Sequence, residues 1–338
     1  MRGSHTSCKR WQAIRAACAT VLAIVLSLGS ILTASAQPYP SKPIRIVVPF
    51  AAGGITDVIG RALGQRLSEA FGQQVIIENR AGGGTGQVGA EYVAKSAPDG
   101  YTLLVTADAT FITAPHVYSK LGYDPLTDLA PITALGISPQ ALTVHPSLPA
   151  RTLGELVAFA KQNPGKLNYG TFGIGSSGHL NIILLEEMTG TKFTPVHYRG
   201  AAPAITDLIG GHIQMIIVSI GLIAQPWQAG QLKVLGFGSS ERLAQYPDVP
   251  TLSESGLQGY EAGSWYGLAA PKGTPDEIIA KLNAQTRMIF SDPAFQEKFL
   301  APSFIFSIVS TPEIFAERIR AESAKWGKII RAAGVKAE

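Results

Sequence analysis

From Pro43 onward, two rhythms of apolar positions alternate along the chain. Ile44 to Pro49 reads as an apolar strand of the fully buried kind, and Ile55, Val58, Ile59, Ala62, Leu63, Leu67, Ala70 and Phe71 then recur at helical spacing. Gly, Ser, Thr or Pro marks each junction between the two rhythms. This alternation is that of parallel sheets with crossover helices, so the fold class is α/β.

Gln74 to Glu78 and Tyr101 to Thr106 read as further strands with a helix from Gly86 to Lys95 between them, a first block ending near Gly136. A second series follows: strand Ala141 to His145, helix Thr152 to Gln162, strand Leu167 to Thr171, helix Gly178 to Thr189 and strand Thr194 to Tyr198. It continues through helix Ala202 to Leu208, strand Ile213 to Val218, a helix near Ile223 to Gln228, and strand Leu232 to Phe237. Thr152 and Glu155 form a capping box at one of these helix starts. After Pro250 the pattern loosens. Ser264 to Ala270 then reads as a strand, Thr274-Pro275-Asp276-Glu277 opens a helix with cap, N1 proline and N3 glutamate, and a last helix runs from Thr311-Pro312 through Trp326 to Ile330. The economical arrangement sends the chain from one lobe to the other near residues 131–140 and back near 255–265. Residues 37–136 with 262–338 then form lobe 1, and 137–261 form lobe 2. Hinged pairs of lobes of this kind close around ligands.

The N-terminus changes how the composition is read. Lys9, Arg10 and Arg15 precede an apolar run from Ala16 to Leu32, and Ala34-Ser35-Ala36 follows, which is the pattern of a secretory signal peptide cleaved after Ala36. The competing reading is a membrane anchor, since the run approaches the length of one span. Met1 to His5 fits either an expression scar or the basic n-region. Of the 28 Lys and Arg in the chain, Arg2, Lys9, Arg10 and Arg15 lie in this leader, which has no acid. The remainder carries 28 less 4, or 24, basic groups against 24 acidic ones. A neutral mature protein gives no support for nucleic-acid or anionic-membrane binding. Cys8 and Cys18 also lie in the leader, so the mature part has no disulfide framework, Cys-based metal site or Cys nucleophile. Its 302 residues (338 less 36) are enough for two lobes stabilised by core burial.

Three glycine-rich turns follow predicted strands. Pro49-Phe50-Ala51-Ala52-Gly53-Gly54 ends at Thr56-Asp57, where a helix starts. Paired glycines let backbone approach a ligand, and the free N–H groups and dipole of a helix N-terminus favour a carboxylate or phosphate; Thr56 or Asp57 otherwise serves as a cap. Gly82-Gly83-Gly84-Thr85-Gly86-Gln87-Val88-Gly89 contains G-x-G-x-x-G at Gly84, Gly86 and Gly89, with Asp108 ending the next strand, so the context of a dinucleotide site is partly met. The alternative readings of that segment are a flexible turn or a rim contact. In the third, Thr171-Phe172-Gly173-Ile174-Gly175-Ser176-Ser177-Gly178-His179, the same spacing recurs at Gly173, Gly175 and Gly178, but no acid follows at the expected distance. What remains is a hydroxyl-rich anion nest feeding a helix N-terminus.

Serine catalysis fails on pattern, since Gly175-Ser176-Ser177-Gly178 is not the G-x-S-x-G elbow, and no H-x-x-x-H or H-E-x-x-H offers a metal pair. Tyr198-Arg199-Gly200 closes a strand and Ser264-Trp265-Tyr266 begins the return to lobe 1; aromatic and guanidinium groups there suit a small acid, or else are a core Trp and a surface Arg. Trp227 and Trp326 read as packing residues.

Ile46-Val47-Val48-Pro49-Phe50-Ala51-Ala52-Gly53-Gly54, Thr56-Asp57, Glu78-Asn79-Arg80, Gly82-Gly83-Gly84 and Pro98-Asp99-Gly100-Tyr101-Thr102 resemble the tripartite tricarboxylate transporter substrate-binding proteins, the Bug family. Tyr198-Arg199-Gly200, Pro203 and Tyr246-Pro247-Asp248-Val249-Pro250-Thr251 extend the resemblance over essentially the whole mature chain. It implies a periplasmic two-lobe α/β fold of the type II, Venus-flytrap kind that binds a small mono- or dicarboxylate in the cleft and delivers it to integral membrane permease subunits. It also implies no reaction, no cofactor and no resident metal. A monomer is expected. The ligand-binding positions carried over are Phe50, Ala51, Ala52, Gly53 and Gly54 with Asp57, the looser loop of Asp108 and Thr110, and Thr171, Phe172, Gly173, Gly175, Ser176 and Ser177. Tyr198, Arg199, Gly200, Ser219 and Trp265 join them as candidates. Gly211-His212-Ile213-Gln214 and Ser219 depart from family positions that often hold an acid, which argues against a ligand bearing an ammonium group. The alternatives are an exported NAD-dependent oxidoreductase built on Gly84 to Gly89, and a ligand-sensing receptor without transport.

Overall fold

The structure, a computed structural model, describes residues 38–337. The predicted leader, with Cys8, Cys18 and the expected cleavage point after Ala36, lies outside the described residues. The chain divides into a unit ending at Ser41 and a compact unit from Lys42 to Glu338, to which every element below belongs. Its strands are β1 (Ile44–Val48), β2 (Val75–Asn79), β3 (Thr102–Ala107), β4 (Leu129–Val144), β5 (Asn168–Thr171), β6 (Thr194–His197), β7 (Met215–Ser219), β8 (Lys233–Phe237), β9 (Gly263–Pro271) and β10 (Phe306–Ser307). The helices are α1 (Ile55–Phe71), α2 (Gln87–Ala94), α3 (Asp108–Ile112), α4 (Ala114–Val117), α5 (Leu153–Gln162), α6 (Ser177–Thr189), α7 (Ala201–Ile209), α8 (Ile220–Gln228), α9 (Asp276–Ser291), α10 (Pro293–Phe295) and α11 (Pro312–Ala333).

The strands hydrogen-bond in the order β2-β1-β3-β9-β4-β7-β5-β6, with β8 and β10 also on β4. β1 is parallel to β2 and β3, and β5 is parallel to β6 and β7, as the βα rhythm of the sequence requires. The joint between these two groups is β4. Residues 129–139 of β4 pair antiparallel with β9, and residues 140–144 pair with β7 and β8, so one strand serves both lobes. The sequence places a crossing between the lobes near residues 131–140, where Pro131, Gly136 and Pro139 lie within one continuous strand. The strand absorbs them through register shifts between Pro131 and Thr133 and between Ala134 and Gly136. Ala262 closes the second crossing, where Gln140 N–H donates to its carbonyl (3.0 Å) and its own N–H donates to Gly238 O (2.9 Å).

Buried strands place alternate residues on opposite faces, and β7 shows the consequence. Met215 and Ile217 enter a core with Leu142, Val144, Tyr169 and Ile182, while Ile216 and Val218 enter the one opposite with Ala141, Leu208 and Phe237. In lobe 1 the core is keyed by three rings. Phe111 stacks on Trp265 at 5.9 Å and meets Phe315 edge-on at 5.7 Å, and Trp265 meets Phe315 at 5.5 Å.

The short helices α3 and α4 and the π-helical turn Gln296–Leu300 had no counterpart among the predicted elements. Two caps also differ in detail. Thr152 accepts from Glu155 N–H at 3.2 Å as expected, but Glu155 reaches back to Arg151 N–H (2.6 Å). At α9 the N-cap is Pro275, and the Thr274 hydroxyl donates to Pro271 O (2.8 Å) instead of capping the helix.

Candidate functional site

A cavity of about 1050 Å³ lies between the lobes. From lobe 1 it is lined by the turn Pro49 to Thr56, by Ala81 to Gly84 and by Ala107 to Ala109; from lobe 2 by Phe172, Gly173, Ser176, Ser177, the segment His197 to Pro203 and Ser219. Gln140 of β4 and Ser264 and Tyr266 of β9 also line it, where the chain crosses between lobes.

The lobe 1 turn is held from beneath. Gly53 takes φ +84°, which a glycine adopts without strain, and Gly54 is the N-cap of α1 with no side-chain cap. Asp57, in the first turn of α1, accepts from Gly53 N–H at 2.9 Å and from Arg61 Nε at 3.0 Å on one oxygen, and from Asn79 Nδ2 at 2.9 Å on the other. Asn79 Nδ2 also donates to Phe50 O. Burial pushes the Asp57 pKa up, but the bonds from Arg61, Gly53 and Asn79 outweigh it and hold the carboxyl below its ordinary range. With Asp57 occupied in this way, the turn meets the cavity through Pro49 to Gly54 and the first-turn residues Ile55 and Thr56.

Facing it is the N-terminus of α6. Ser176 is its N-cap, 3% exposed, and makes no side-chain capping bond. Its Oγ is buried without a hydrogen-bond partner among the described residues. Next to it, Ser177 Oγ accepts from Gln140 Nε2 (2.8 Å), and Gln140 Oε1 accepts from Asn181 Nδ2 (2.8 Å). Gly175 N–H donates to His179 Nδ1 (3.2 Å), and the Thr113 hydroxyl of lobe 1 donates to Gly175 O (2.8 Å), tying the turn across the cleft. Burial and the neighbouring His197 hold His179 down to about 4, and burial lowers His197 as well. Both imidazoles are therefore neutral near pH 7, leaving Arg199 as the permanent cation on the lining among the described residues. The second-lobe wall adds Ser219, the N-cap of α8, bonded to the Tyr266 hydroxyl.

Of the candidate residues, Phe50 to Gly54, Asp108, Phe172, Gly173, Ser176, Ser177, Tyr198 to Gly200 and Ser219 line the cavity. Five do not. Asp57 lies under the turn. The Thr110 hydroxyl is buried between Thr106 Oγ1 and Thr85 O, and Thr171 Oγ1 is bonded to His197 Nδ1 at 2.8 Å. Gly175 packs on Thr85 and Val117 at the inter-lobe contact. Trp265 points into the lobe 1 core because it sits one residue out of phase with Ser264 and Tyr266, which do line the site. Tyr198 lines the cavity with its ring, since its hydroxyl donates to Asp207 Oδ2 (2.6 Å).

Sequence reading passes over Gln140 and His197 as ligand contacts, and from Ser264-Trp265-Tyr266 it carries forward only Trp265. A period-2 reading of Ser264-Trp265-Tyr266 would have chosen the outer pair. The segment Gly82 to Gly84 is a cavity rim. Gly86 and Gly89 lie against Pro49, so that a Cβ on either would come within 3.0 Å of it, and this half of the G-x-G-x-x-G serves to pack α2 on the end of β1.

A family model described as the tripartite tricarboxylate transporter family receptor matches residues 59–335. Rpa4515 of R. palustris, solved with adipate, is 35% identical and superimposes with a TM-score of 0.83 over 88% of this chain and 98% of its own. The periplasmic binding protein BugD is 33% identical, with a TM-score of 0.82 over 89% and 100% of the two chains. MatC of Rhodopseudomonas palustris, solved with bound malate, is 31% identical, with a TM-score of 0.80 over 86% and 100%. The fold is that of two-lobe periplasmic binding proteins, and the match is to receptors and not to enzymes, which displaces the oxidoreductase alternative.

Proposed function

This chain belongs to the tripartite tricarboxylate transporter receptor family, and we propose that it works in the periplasm, capturing a small carboxylate between its lobes and handing it to the transporter's membrane permease subunits. The observation that carries this reading is Ser176: an unpartnered hydroxyl, buried at the N-terminus of a 13-residue helix and lining the cavity opposite the first turn of α1. Two helix N-termini directed at one space supply N–H donors and positive dipole ends, a combination that suits an anion. In a desolvated cleft such donors bind carboxylate strongly without a dedicated guanidinium. The adipate of Rpa4515 and the malate of MatC lend the same support. Lobe 1 comprises residues 37–136 and 262–338, lobe 2 comprises 137–261, the leader is removed after Ala36, and the receptor is a monomer.

The test is native mass spectrometry of the mature protein as purified, followed by thermal shifts with a panel of mono- and dicarboxylates and with NAD. A copurified acid, or stabilisation by one acid class without response to NAD, supports the reading. Stabilisation by NAD alone overturns it. Delivery is tested by uptake of the identified acid in cells with and without the permease subunits.

A further inference from the structure

Among the described residues, Asp108 is the one Asp or Glu lining the main cavity. It opens α3 at 6% exposure, with Oδ1 accepting from Ala109 N–H (2.7 Å) and from the Ser264 hydroxyl (3.1 Å). Two carboxylates sharing a buried site do not both ionise, because their repulsion is poorly screened and one keeps its proton. A site for anions that contains Asp108 therefore has to resolve a conflict of charge.

Hydrogen bonds from the Ala109 and Trp265 N–H groups and the Ser264 hydroxyl favour the ionised form of Asp108, but no cation among the described residues pairs with it. From α11, Glu322 adds a second negative charge; its carboxylate accepts from Trp265 Nε1 (2.7 Å) and from Arg318 Nε (2.8 Å), so the Arg318 cation is already paired. From β9, Tyr266 offers a neutral hydroxyl bonded to Ser219 and Ser264. On the lobe 2 wall His197 is neutral and Arg199 is exposed to solvent. Burial first, and the Glu322 charge second, push Asp108 up to about 7.

Asp108 also borders a second cavity. Together with Ala109 and Ser177 it lines a space of about 570 Å³ next to the main site, where the charged groups are Glu241, Arg242, Glu261, Arg318, Glu322 and Lys325. Arg242 is paired with Glu254, which does not line that space. Asp108 thus has an approach for proton exchange besides the ligand cleft.

We propose that the receptor takes up one proton with its ligand, held at Asp108 and hydrogen-bonded to the far carboxyl of a dicarboxylate whose near carboxyl occupies the helix N-termini. The proton comes from solvent, and no other bond forms or breaks. This rests on the carboxylate reading above and narrows it to acids with a second carboxyl.

The experiment is isothermal titration calorimetry of the mature protein with adipate and malate, in buffers of different ionisation enthalpy at pH 6 and pH 8, with hexanoate as the monocarboxylate control. Uptake is expected to be on the order of one proton at pH 8 and small at pH 6, where Asp108 already carries it, with affinity falling up to about tenfold per pH unit above 7. Hexanoate binds without uptake. Asp108→Asn keeps an acceptor for Ala109 and Ser264 and binds dicarboxylate without proton exchange. Glu322→Gln moves the onset of uptake to lower pH. Dicarboxylate binding at pH 8 with no net uptake, or with equal uptake in Asp108→Asn, overturns the proposal while leaving the carboxylate reading intact. Failure of all three acids to bind overturns that reading itself.

Discussion

Gly84 of lobe 1 and Gly173 of lobe 2 meet backbone to backbone across the cleft. A Cβ on Gly84 would lie 2.6 Å from the carbonyl carbon of Gly173, and one on Gly173 would lie 2.5 Å from the Cα of Gly84. Neither neighbour is a flexible side-chain end that could give way, so the two glycines allow the lobes to close at this rim. Gly84→Ala is expected to hold the lobes apart and weaken ligand binding at least tenfold, roughly 1.4 kcal/mol, with the free protein's melting temperature little changed. Calorimetry and the radius of gyration from solution scattering check this; native affinity in the variant would show that the close approach is not needed.

Ser176 separates a binding role from a folding one. Its hydroxyl is buried and unpaired, so Ser176→Ala removes nothing the fold uses and is expected to leave stability within about 0.5 kcal/mol. A hydrogen bond to a charged ligand contributes about 1.5–3 kcal/mol, so affinity for the carboxylate should fall on the order of tenfold to a hundredfold. Urea denaturation and ligand titration of the same variant test both halves.

The two turns at the helix N-termini were legible in the chain because glycine and serine between a strand and a helix have few other uses, and Phe50 to Gly54 and Gly173 to Ser177 announce themselves locally. Gln140 and Tyr266 were not legible in this way. They reach the cavity because a 16-residue strand runs through both lobes and because β9 alternates its faces, and these are facts of pairing between residues more than a hundred positions apart. Asp57 misled for the opposite reason. An acid in the first turn of a helix beneath a glycine turn fits a ligand contact and an internal brace equally well, and only the positions of Arg61 and Asn79 decide for the brace.

Asp57 is therefore expected to act on the site through the turn. Asp57→Ala leaves Gly53 N–H, the Asn79 amide and Arg61 without their acceptor, and should cost roughly 2 kcal/mol of stability. Because the folded pKa is lowered, the stabilisation is fully present above the unfolded value of about 3.9 and is lost as pH falls through the lower folded value. Urea midpoints measured from pH 6 downward should show this acid-sensitive component in the natural protein and lack it in Asp57→Asn. Superimposable pH profiles would remove Asp57 from this role.

His179 sets a second, milder pH limit on the fold. Its Nδ1 accepts from Gly175 N–H, which requires the imidazole to be unprotonated at that nitrogen, and its ring lies 5.1 Å from that of His197, so a charge on either opposes a charge on the other. The folded value is about 4 against about 6.5 in the unfolded chain, so between those limits the unfolded state binds more protons and stability rises with pH. The difference amounts to a loss on the order of 3 kcal/mol as pH falls from 6.5 to 4, and the lowering of His197 acts in the same sense. The loss reaches the site because Gly175 belongs to the turn that Thr113 ties across the cleft. His179→Asn keeps an acceptor for Gly175 but cannot titrate, and it should flatten the slope of stability against pH between 6.5 and 4. Hydrogen exchange at the Gly175 amide should accelerate over the same interval in the natural protein and stay constant in the variant; parallel behaviour of the two would mean that another group carries the acid sensitivity.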